Sequence, residues 1–147
     1  MPIARLRVVL ACLIGLGLAL LLVGVVSGTL LRHVIQILPI GLAAAVLVRS
    51  PEWGAYASIP IFFFWIGIVG LIWLFFLGLS RIASGHYTPI EVVSTFMMVA
   101  FSVVGVVGGM SLGKPLRPRA KIFAFMLFAS VQLAAMWVSF LKPIANR

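Results

Sequence analysis

The residues of this chain that can do chemistry are few, and the densest group is Arg32, His33 and Gln36. Gln36 lies one helical turn from the other two, so a helix would bring all three side chains to one patch. A guanidinium, an imidazole and an amide at the end of an apolar helix can hold an anionic ligand or a lipid headgroup. The alternative is an interfacial anchor with local hydrogen bonds. We favour the anchor, because polar residues are common where helices leave a membrane.

Metal binding and phosphate binding each have one candidate pattern, and each pattern lacks an essential group. His33 and His86 have no carboxylate or thiol placed beside them, so they make a poor metal site. The segment from Gly108 to Lys114 matches the first seven positions of a phosphate-binding P-loop, but Pro115 stands where magnesium coordination needs Ser or Thr. We therefore expect no metal and no cofactor.

Catalytic and ion-coupling residues are also missing from the apolar part of the sequence. Glu52 and Glu91 are the only acidic residues, and both lie outside the apolar runs. Proton- or cation-coupled transporters usually need a carboxylate within the membrane. The apolar runs hold no Ser/His, Asp/Asp or HExxH arrangement for catalysis. The sequence therefore predicts a protein that is not an enzyme.

The elements that must position these residues are five apolar runs separated by basic residues. Residues 8–31, 33–48, 53–80, 92–113 and 122–141 carry no Asp, Glu, Lys or Arg. A membrane-spanning helix needs about 20 mostly apolar residues. The chain is 64% hydrophobic and only 9% charged, with a mean hydropathy of +1.29. These features predict an all-α, polytopic integral membrane bundle of five transmembrane helices, which forms one domain over residues 1–147.

Residues that start and stop helices divide the runs. We expect helices at about residues 7–26, 30–49, 51–79, 89–112 and 121–142.

Two helix starts and one doubtful helix need separate comment. Ser50 is a favourable N-cap for helix three, and Thr88 with Glu91 forms a capping box for helix four. Helix two has a short apolar core and contains Pro39. The alternative architecture is therefore four spans plus a short re-entrant or interfacial helix two.

The distribution of Lys and Arg orients the five-span arrangement. With the N-terminus in the cytoplasm, seven basic residues lie inside and four lie outside. Cytoplasmic loops of membrane proteins carry the excess of positive charge. We expect a multi-pass protein of a bacterial cytoplasmic (inner) membrane, with its C-terminus on the periplasmic or extracellular side.

The most basic segment is the loop between helices four and five. The net charge of the chain is +9, and the basic residues stand at the ends of the apolar runs rather than on a soluble face. We expect contact with anionic lipid headgroups, and no nucleic acid. The residues that we expect to make this contact are Lys114, Arg117, Arg119 and Lys121.

Glycines at intervals of four indicate close helix packing. Gly105, Gly109 and Gly113 share one face of helix four, and Gly24 and Gly28 repeat the spacing in helix one. Small residues let two helix backbones approach closely within a membrane. Two interpretations are open for this stripe. It packs against another copy of the chain or a larger membrane complex, or it packs against helix one or helix five of the same chain. We favour packing within the chain.

These features favour an accessory, assembly or structural subunit of a bacterial inner membrane. The alternative is a small oligomeric transporter or channel for a small solute or lipid. An integral membrane enzyme ranks third, and the sequence carries no motif that identifies a substrate.

Overall fold

The computed structural model describes residues 2–82, 85–112, 116–141 and 144, and within these ranges the secondary structure is helical with no strand. Each of the five helices is long and apolar enough to cross a membrane. The predicted fold class, an all-α bundle of five candidate spans, is confirmed. The helices are α1 (Pro2–Val26), α2 (Leu30–Arg49), α3 (Pro51–Phe76), α4 (Pro89–Leu112) and α5 (Pro118–Ser139).

Helix α2 is continuous despite Pro39. Its 20 residues correspond to about 30 Å at 1.5 Å per residue, which matches the hydrocarbon core of a bilayer. Pro39 is buried within the bundle, so the carbonyl that lacks its usual helical donor is close to neighbouring helices rather than to lipid alone. A short re-entrant helix two is therefore not the observed arrangement.

Glycines with a positive φ end two of the helices. Gly28 follows α1 with φ 68°, and Gly78 follows α3 with φ 71°. Other residues rarely adopt this conformation, which lets the chain turn back and satisfy the last carbonyls. The N–H of Gly78 donates to the carbonyl of Phe75 at 2.9 Å. This is why α3 ends at Phe76 and not at residue 79 as expected.

A single residue, Ser50, joins α2 to α3. Its N–H donates to the carbonyl of Val46 at 2.8 Å, and its carbonyl accepts from Gly54 at 2.9 Å. Its backbone therefore serves both helix ends, and its side chain makes no capping hydrogen bond. Ser50 is the N-cap residue of α3 as expected, but it caps the helix without a side-chain hydrogen bond. Gly54 lies directly against the backbone of Leu47, so this helical hairpin is tightly closed.

The capping box predicted for α4 is confirmed. The N–H of Thr88 donates to Oε2 of Glu91 at 2.7 Å, and the N–H of Glu91 donates to Oγ1 of Thr88 at 3.3 Å. Helix α5 begins at Pro118, three residues earlier than expected, because proline is favourable at the first helical position. Helix α1 begins at Pro2, five residues before the expected start.

The first four helices form a ring, and the fifth lies outside it. Helix α1 packs against α2 and α4, and α3 packs against the same two helices from the opposite side. Helix α5 lies against α2 and α3; among the described residues it does not contact α1 or α4. The core inside the ring includes fully buried Leu13, Leu16 and Phe62.

The bundle has two ends, which differ in which loops they carry. The α3–α4 end holds the turn at residues 27–29, residues 77–82 and 85–88, and the last turn of α5. The α4–α5 end holds the start of α1, the junction at Ser50 and the start of α5. The first end is open between its helices and carries the candidate site.

Candidate functional site

A cavity of about 240 Å³ lies at the α3–α4 end of the bundle. All five helices and the residues before α4 contribute to its wall, and we call it the end cavity. Its apolar wall is formed by Leu20, Val23, Ile68, Ile72, Met98 and Met136, and its polar mouth by Ser27, Thr29, Arg32, His33, Tyr87 and Glu91. Met98 is nine residues into α4, so the cavity reaches about 13 Å below the helix end. The cavity is polar at its mouth and apolar below. Its polarity therefore changes with depth in the same direction as in one leaflet of a membrane.

Arg32 supplies the positive charge of the end cavity. Its guanidinium carbon lies 3.8 Å from the centroid of the Phe140 ring, a cation–π contact that holds the flat group against α5. Its Nε is buried and has no hydrogen-bond partner within the described part of the chain. A buried guanidinium N–H without an acceptor is costly, so the position suits a ligand that supplies an oxygen.

His33 is held beside Arg32 by the first turn of α2. Its Nδ1 lies 3.0 Å from the carbonyl oxygen of Thr29 and 3.1 Å from the Thr29 hydroxyl. A carbonyl only accepts, so Nδ1 carries the hydrogen in that contact. Gly24 of α1 allows this position, because a Cβ added there would lie 2.9 Å from Cβ of His33. Gly24, one of the predicted packing residues, therefore lies against His33 at the edge of the end cavity.

Glu91 supplies the negative charge of the end cavity. It is 8% exposed and lies at the third position of α4, where the positive end of the helix dipole favours a carboxylate. Its Oε2 accepts the N–H of Thr88. Among the described residues no hydrogen bond uses Oε1, and no salt bridge joins Glu91 to Arg32.

Tyr87 lies between these charges at the mouth of the end cavity. Its ring contacts Phe75 and Phe76 of α3, with ring centroids 6.0 and 5.0 Å away. Partial burial, and then the nearby Glu91 carboxylate, raise the pKa of Tyr87 above its usual value, while Arg32 opposes the shift. The phenol therefore stays neutral throughout the physiological pH range.

Two tryptophans of α3 bring indole N–H groups close to the cavity wall. Trp73 donates to Oγ1 of Thr95 at 2.8 Å, which joins α3 to α4. Trp65 also lines the end cavity and is 3% exposed, but its N–H has no acceptor among the described residues. The end cavity thus has two buried donors without an acceptor, one at the mouth and one deeper.

The structure divides the polar group that the sequence placed together. Arg32 and His33 line the end cavity, whereas Gln36 is turned toward α5. The amide of Gln36 donates to Oγ of Ser139 at 2.9 Å and lies 3.2 Å from the sulfur of Met136. Gln36 therefore fastens α5 to the ring, as polar side chains commonly do between membrane helices.

The predicted packing glycines of α4 face α3. A Cβ added at Gly105 would overlap the ring of Phe62, and one at Gly109 would lie 3.1 Å from the carbonyl oxygen of Ala55. The expected partners of this stripe were helix one or helix five, and the observed partner is α3. Gly28 has no atom within 4 Å of an added Cβ and serves as a helix-ending residue. Gly113 lies outside the described residues.

Three of the four predicted lipid-contact residues are described, and they lie at the opposite end of the bundle from the end cavity. Arg117 and Arg119 are exposed, and Lys121 is half-buried with its ammonium 5.3 Å from the centroid of the Tyr56 ring. Lys114 lies outside the described residues. Within the described ranges, no group of three or more His, Cys, Asp or Glu residues is placed to hold a metal ion.

Of the residues that line the end cavity, sequence reasoning assigned only Arg32 and His33 to a site; the missed members include Trp65, Tyr87 and Glu91. Glu91 was interpreted only as a capping residue, and Tyr87 only as part of a loop. One signal was present, because the five-span topology places the start of α4 at the same end of the bundle as Arg32. Comparison of the chain with protein-family models, with curated proteins and with solved structures finds no match.

Proposed function

We propose that this membrane protein is a non-enzymatic accessory, assembly or structural component of a bacterial inner membrane, and that it holds an amphiphile in the end cavity. One observation carries the proposal. The buried Nε of Arg32 has no acceptor in the described part of the chain, and it stands at the polar mouth of a cavity with apolar walls.

The end cavity matches an amphiphile in two respects, a charged donor at its mouth and an apolar wall below it. An oxyanion at Arg32 would satisfy a buried donor, and a guanidinium forms strong, directional hydrogen bonds with phosphate or carboxylate. An apolar chain would extend from there along Ile68, Ile72 and Met98 toward the centre of the bilayer. The cavity is smaller than the roughly 300–1,000 Å³ of typical small-molecule sites, so it suits a headgroup with the start of one chain.

A nucleophilic role for the mouth of the cavity is disfavoured by its hydrogen bonds. The Thr29 hydroxyl and the His33 ring are adjacent, which is the pairing that nucleophilic catalysis requires. Nδ1 of His33 must carry the hydrogen that it donates to the Thr29 carbonyl, so it cannot also take the hydroxyl proton. This supports a binding role and not a catalytic one.

The alternative, a small oligomeric transporter or channel, requires a polar path through the bundle. Below the end cavity the ring is filled by Leu13, Leu16 and Phe62, each with no exposed surface. These side chains favour a closed cavity over a conduit. Purified protein in liposomes should therefore give no flux of small solutes above that of empty liposomes.

Arg32→Gln tests amphiphile binding, and Arg81→Gln is its matched control. Both residues lie at the α3–α4 end, but Arg81 is exposed and does not line the cavity. Native mass spectrometry of protein extracted in mild detergent measures the retained amphiphile. We expect Arg32→Gln to lower retention about tenfold, the effect of losing one charged hydrogen bond, and Arg81→Gln to leave it unchanged. Equal retention in both variants, at equal thermal stability, would refute the proposal.

The accessory role has its own test. Affinity purification from native membranes should recover a second membrane protein in a fixed ratio to this chain. Recovery of the chain alone, in a detergent that preserves known complexes of the same membrane, contradicts an accessory role and leaves amphiphile binding to be judged by Arg32→Gln.

The proposed orientation places the α4–α5 end in the cytoplasm. Among the described residues that end carries Arg5, Arg7, Arg49, Arg117, Arg119 and Lys121, whereas the other end carries Arg32 and Arg81. A cytoplasmic reporter fused after Arg119 should be active, and one fused after Arg147 should be inactive. The reverse pattern excludes the proposed orientation. Neutralising Lys114, Arg117, Arg119 and Lys121 together should produce mixed topology or weaken the retention of anionic lipid.

A further inference from the structure

We infer that the end cavity recognises a zwitterionic headgroup, with an oxyanion bound by Arg32 and a primary ammonium bound by Glu91. The inference rests on the proposed amphiphile binding and names the chemical class of the ligand. It is carried by the placement of one positive and one negative side chain around a single cavity.

The two charges face the same space without neutralising each other. Within the described residues no salt bridge joins Arg32 to Glu91, although both line the end cavity. A ligand with only negative charge would meet Arg32 favourably and Glu91 unfavourably. A ligand with both charges would meet both residues favourably. The electrostatic complement of this cavity is therefore a zwitterion.

Arg32 is presented in a way that suits an oxyanion. Phe140 covers one face of the guanidinium at 3.8 Å, and the N–H groups of a guanidinium point outward in its own plane. Phe140 therefore does not occupy the in-plane donors of Arg32, no described hydrogen bond uses them, and Nε among them is buried. Two oxygens of one phosphate or carboxylate can accept from that edge together.

Glu91 is presented in a way that suits an ammonium. The capping bond from Thr88 to Oε2 fixes the carboxylate at the start of α4, so it does not need to be ordered when a ligand binds. Oε1 takes part in no hydrogen bond within the described ranges, and the side chain is only 8% exposed. A primary ammonium has three donors and can use this oxygen.

The deeper wall sets the remaining requirement, an apolar chain attached to the zwitterion. Ile68, Ile72 and Met98 offer only carbon and sulfur to a ligand. Trp65 adds one buried N–H without an acceptor. Two sources share this chemistry: a phospholipid with an aminoethyl phosphate headgroup, and a free amino acid with an apolar side chain. The apolar wall reaches about 13 Å below the helix end, deeper than the side chain of one amino acid extends, so we assign the phospholipid.

The test compares lipids that differ only in the headgroup. Protein in mild detergent is mixed with equal amounts of dioleoyl phosphatidylethanolamine and dioleoyl phosphatidylglycerol, and native mass spectrometry measures which lipid is bound. We expect the wild-type protein to prefer the phosphatidylethanolamine about tenfold, the effect of one charge-assisted hydrogen bond.

Glu91→Gln removes the charge and keeps the fold. Glutamine can take the third position of a capping box, so its side-chain oxygen still accepts the N–H of Thr88. We expect this variant to lose the preference for phosphatidylethanolamine while still binding lipid through Arg32. Glu52→Gln is the control, because Glu52 is exposed at the opposite end of the bundle. It should keep the wild-type preference.

Each outcome separates the two proposals. Lipid binding that depends on Arg32 without preference between the two headgroups overturns the zwitterion and leaves amphiphile binding intact. Absence of lipid binding by the wild-type protein overturns both. A preference for phosphatidylethanolamine that persists in Glu91→Gln overturns the role of Glu91. Free leucine that displaces phosphatidylethanolamine in a Glu91-dependent manner supports the zwitterion and replaces the phospholipid with an amino acid as its source.

Discussion

The two halves of α4 show how one helix can pack closely at one end and leave space at the other. Toward the α4–α5 end it presents Gly105 and Gly109, and α3 lies directly on them. Toward the α3–α4 end it presents Glu91, Thr95 and Met98, which line the end cavity, and α3 reaches α4 there through the long side chain of Trp73, which donates to Thr95. Lipid is as apolar as the helices, so burial alone cannot draw them together. The size of the facing side chains decides where the ring is closed and where it is open.

The most damaging change should be a side chain at Gly54 of α3, which lies at the closely packed α4–α5 end of the bundle. An added Cβ there would meet the backbone of Leu47, which cannot move without opening the α2–α3 hairpin. We expect Gly54→Leu to lower the free energy of unfolding by at least about 3 kcal/mol, measured by thermal or denaturant unfolding in detergent. Gly67→Leu is the control, because no atom lies within 4 Å of an added Cβ at Gly67. Similar stability of the two variants would contradict close packing at this junction.

A smaller loss is expected at Gly105. Its partner is the ring of Phe62, which is fully buried and has little room to turn. Gly105→Leu should cost about 1–3 kcal/mol, and adding Phe62→Ala should recover part of that loss because total volume is restored. Size-exclusion chromatography should show an unchanged oligomeric state. A variant that dissociates at unchanged stability would instead place this stripe at a contact between chains.

The wall of the end cavity should tolerate a large side chain, which would then occupy the space of the bound amphiphile. Ile72→Trp directs added volume into the end cavity, so we expect stability to change by less than about 0.5 kcal/mol. Retention of the amphiphile should fall about tenfold in native mass spectrometry. The control is Leu74→Trp, two residues away and 40% exposed, which should alter neither quantity. If Ile72→Trp destabilises the protein as Gly105→Leu does, the two halves are packed equally closely.

The smallest effect concerns the charge state at the mouth of the cavity. Burial and Glu91 raise the pKa of Tyr87, so its phenolate should form only above pH 10. A raised folded-state pKa gives stability that is present below pH 10 and lost as the pH rises through the folded value. In Tyr56→Phe, Tyr87 is the only tyrosine, and absorbance at 295 nm reports its ionisation. An absorbance midpoint at or below pH 10 would contradict the partial burial of Tyr87 beside Glu91.

Helix boundaries could be predicted where local chemistry sets them. Both ends of α2 and the start of α4 fall at the expected residues, because Gly28, Ser50 and the capping box at Thr88 act through their nearest neighbours. The end of α3 was placed three residues too late. The left-handed turn at Gly78 stops the helix there, although the apolar sequence continues past it.

The partners of each helix face could not be predicted, since they depend on the order of helices around the ring. Gly105 was recognised as a packing residue, but nothing local indicates that Phe62, and not a residue of α5, covers it. The same limit applies to the end cavity. Arg32 and Glu91 are separated by almost 60 positions in sequence. Only the antiparallel course of the four helices brings them to one end of the bundle.

The position of α5 outside the ring has a consequence for biosynthesis. Chains are made and inserted from the N-terminus, so the four-helix ring can form before α5 has entered the membrane. Until then Arg32 lacks the Phe140 ring, and Gln36 lacks Ser139. Two polar side chains near the surface of a half-made protein therefore remain exposed until the last helix arrives. A truncated chain that lacks α5 would never acquire these two partners.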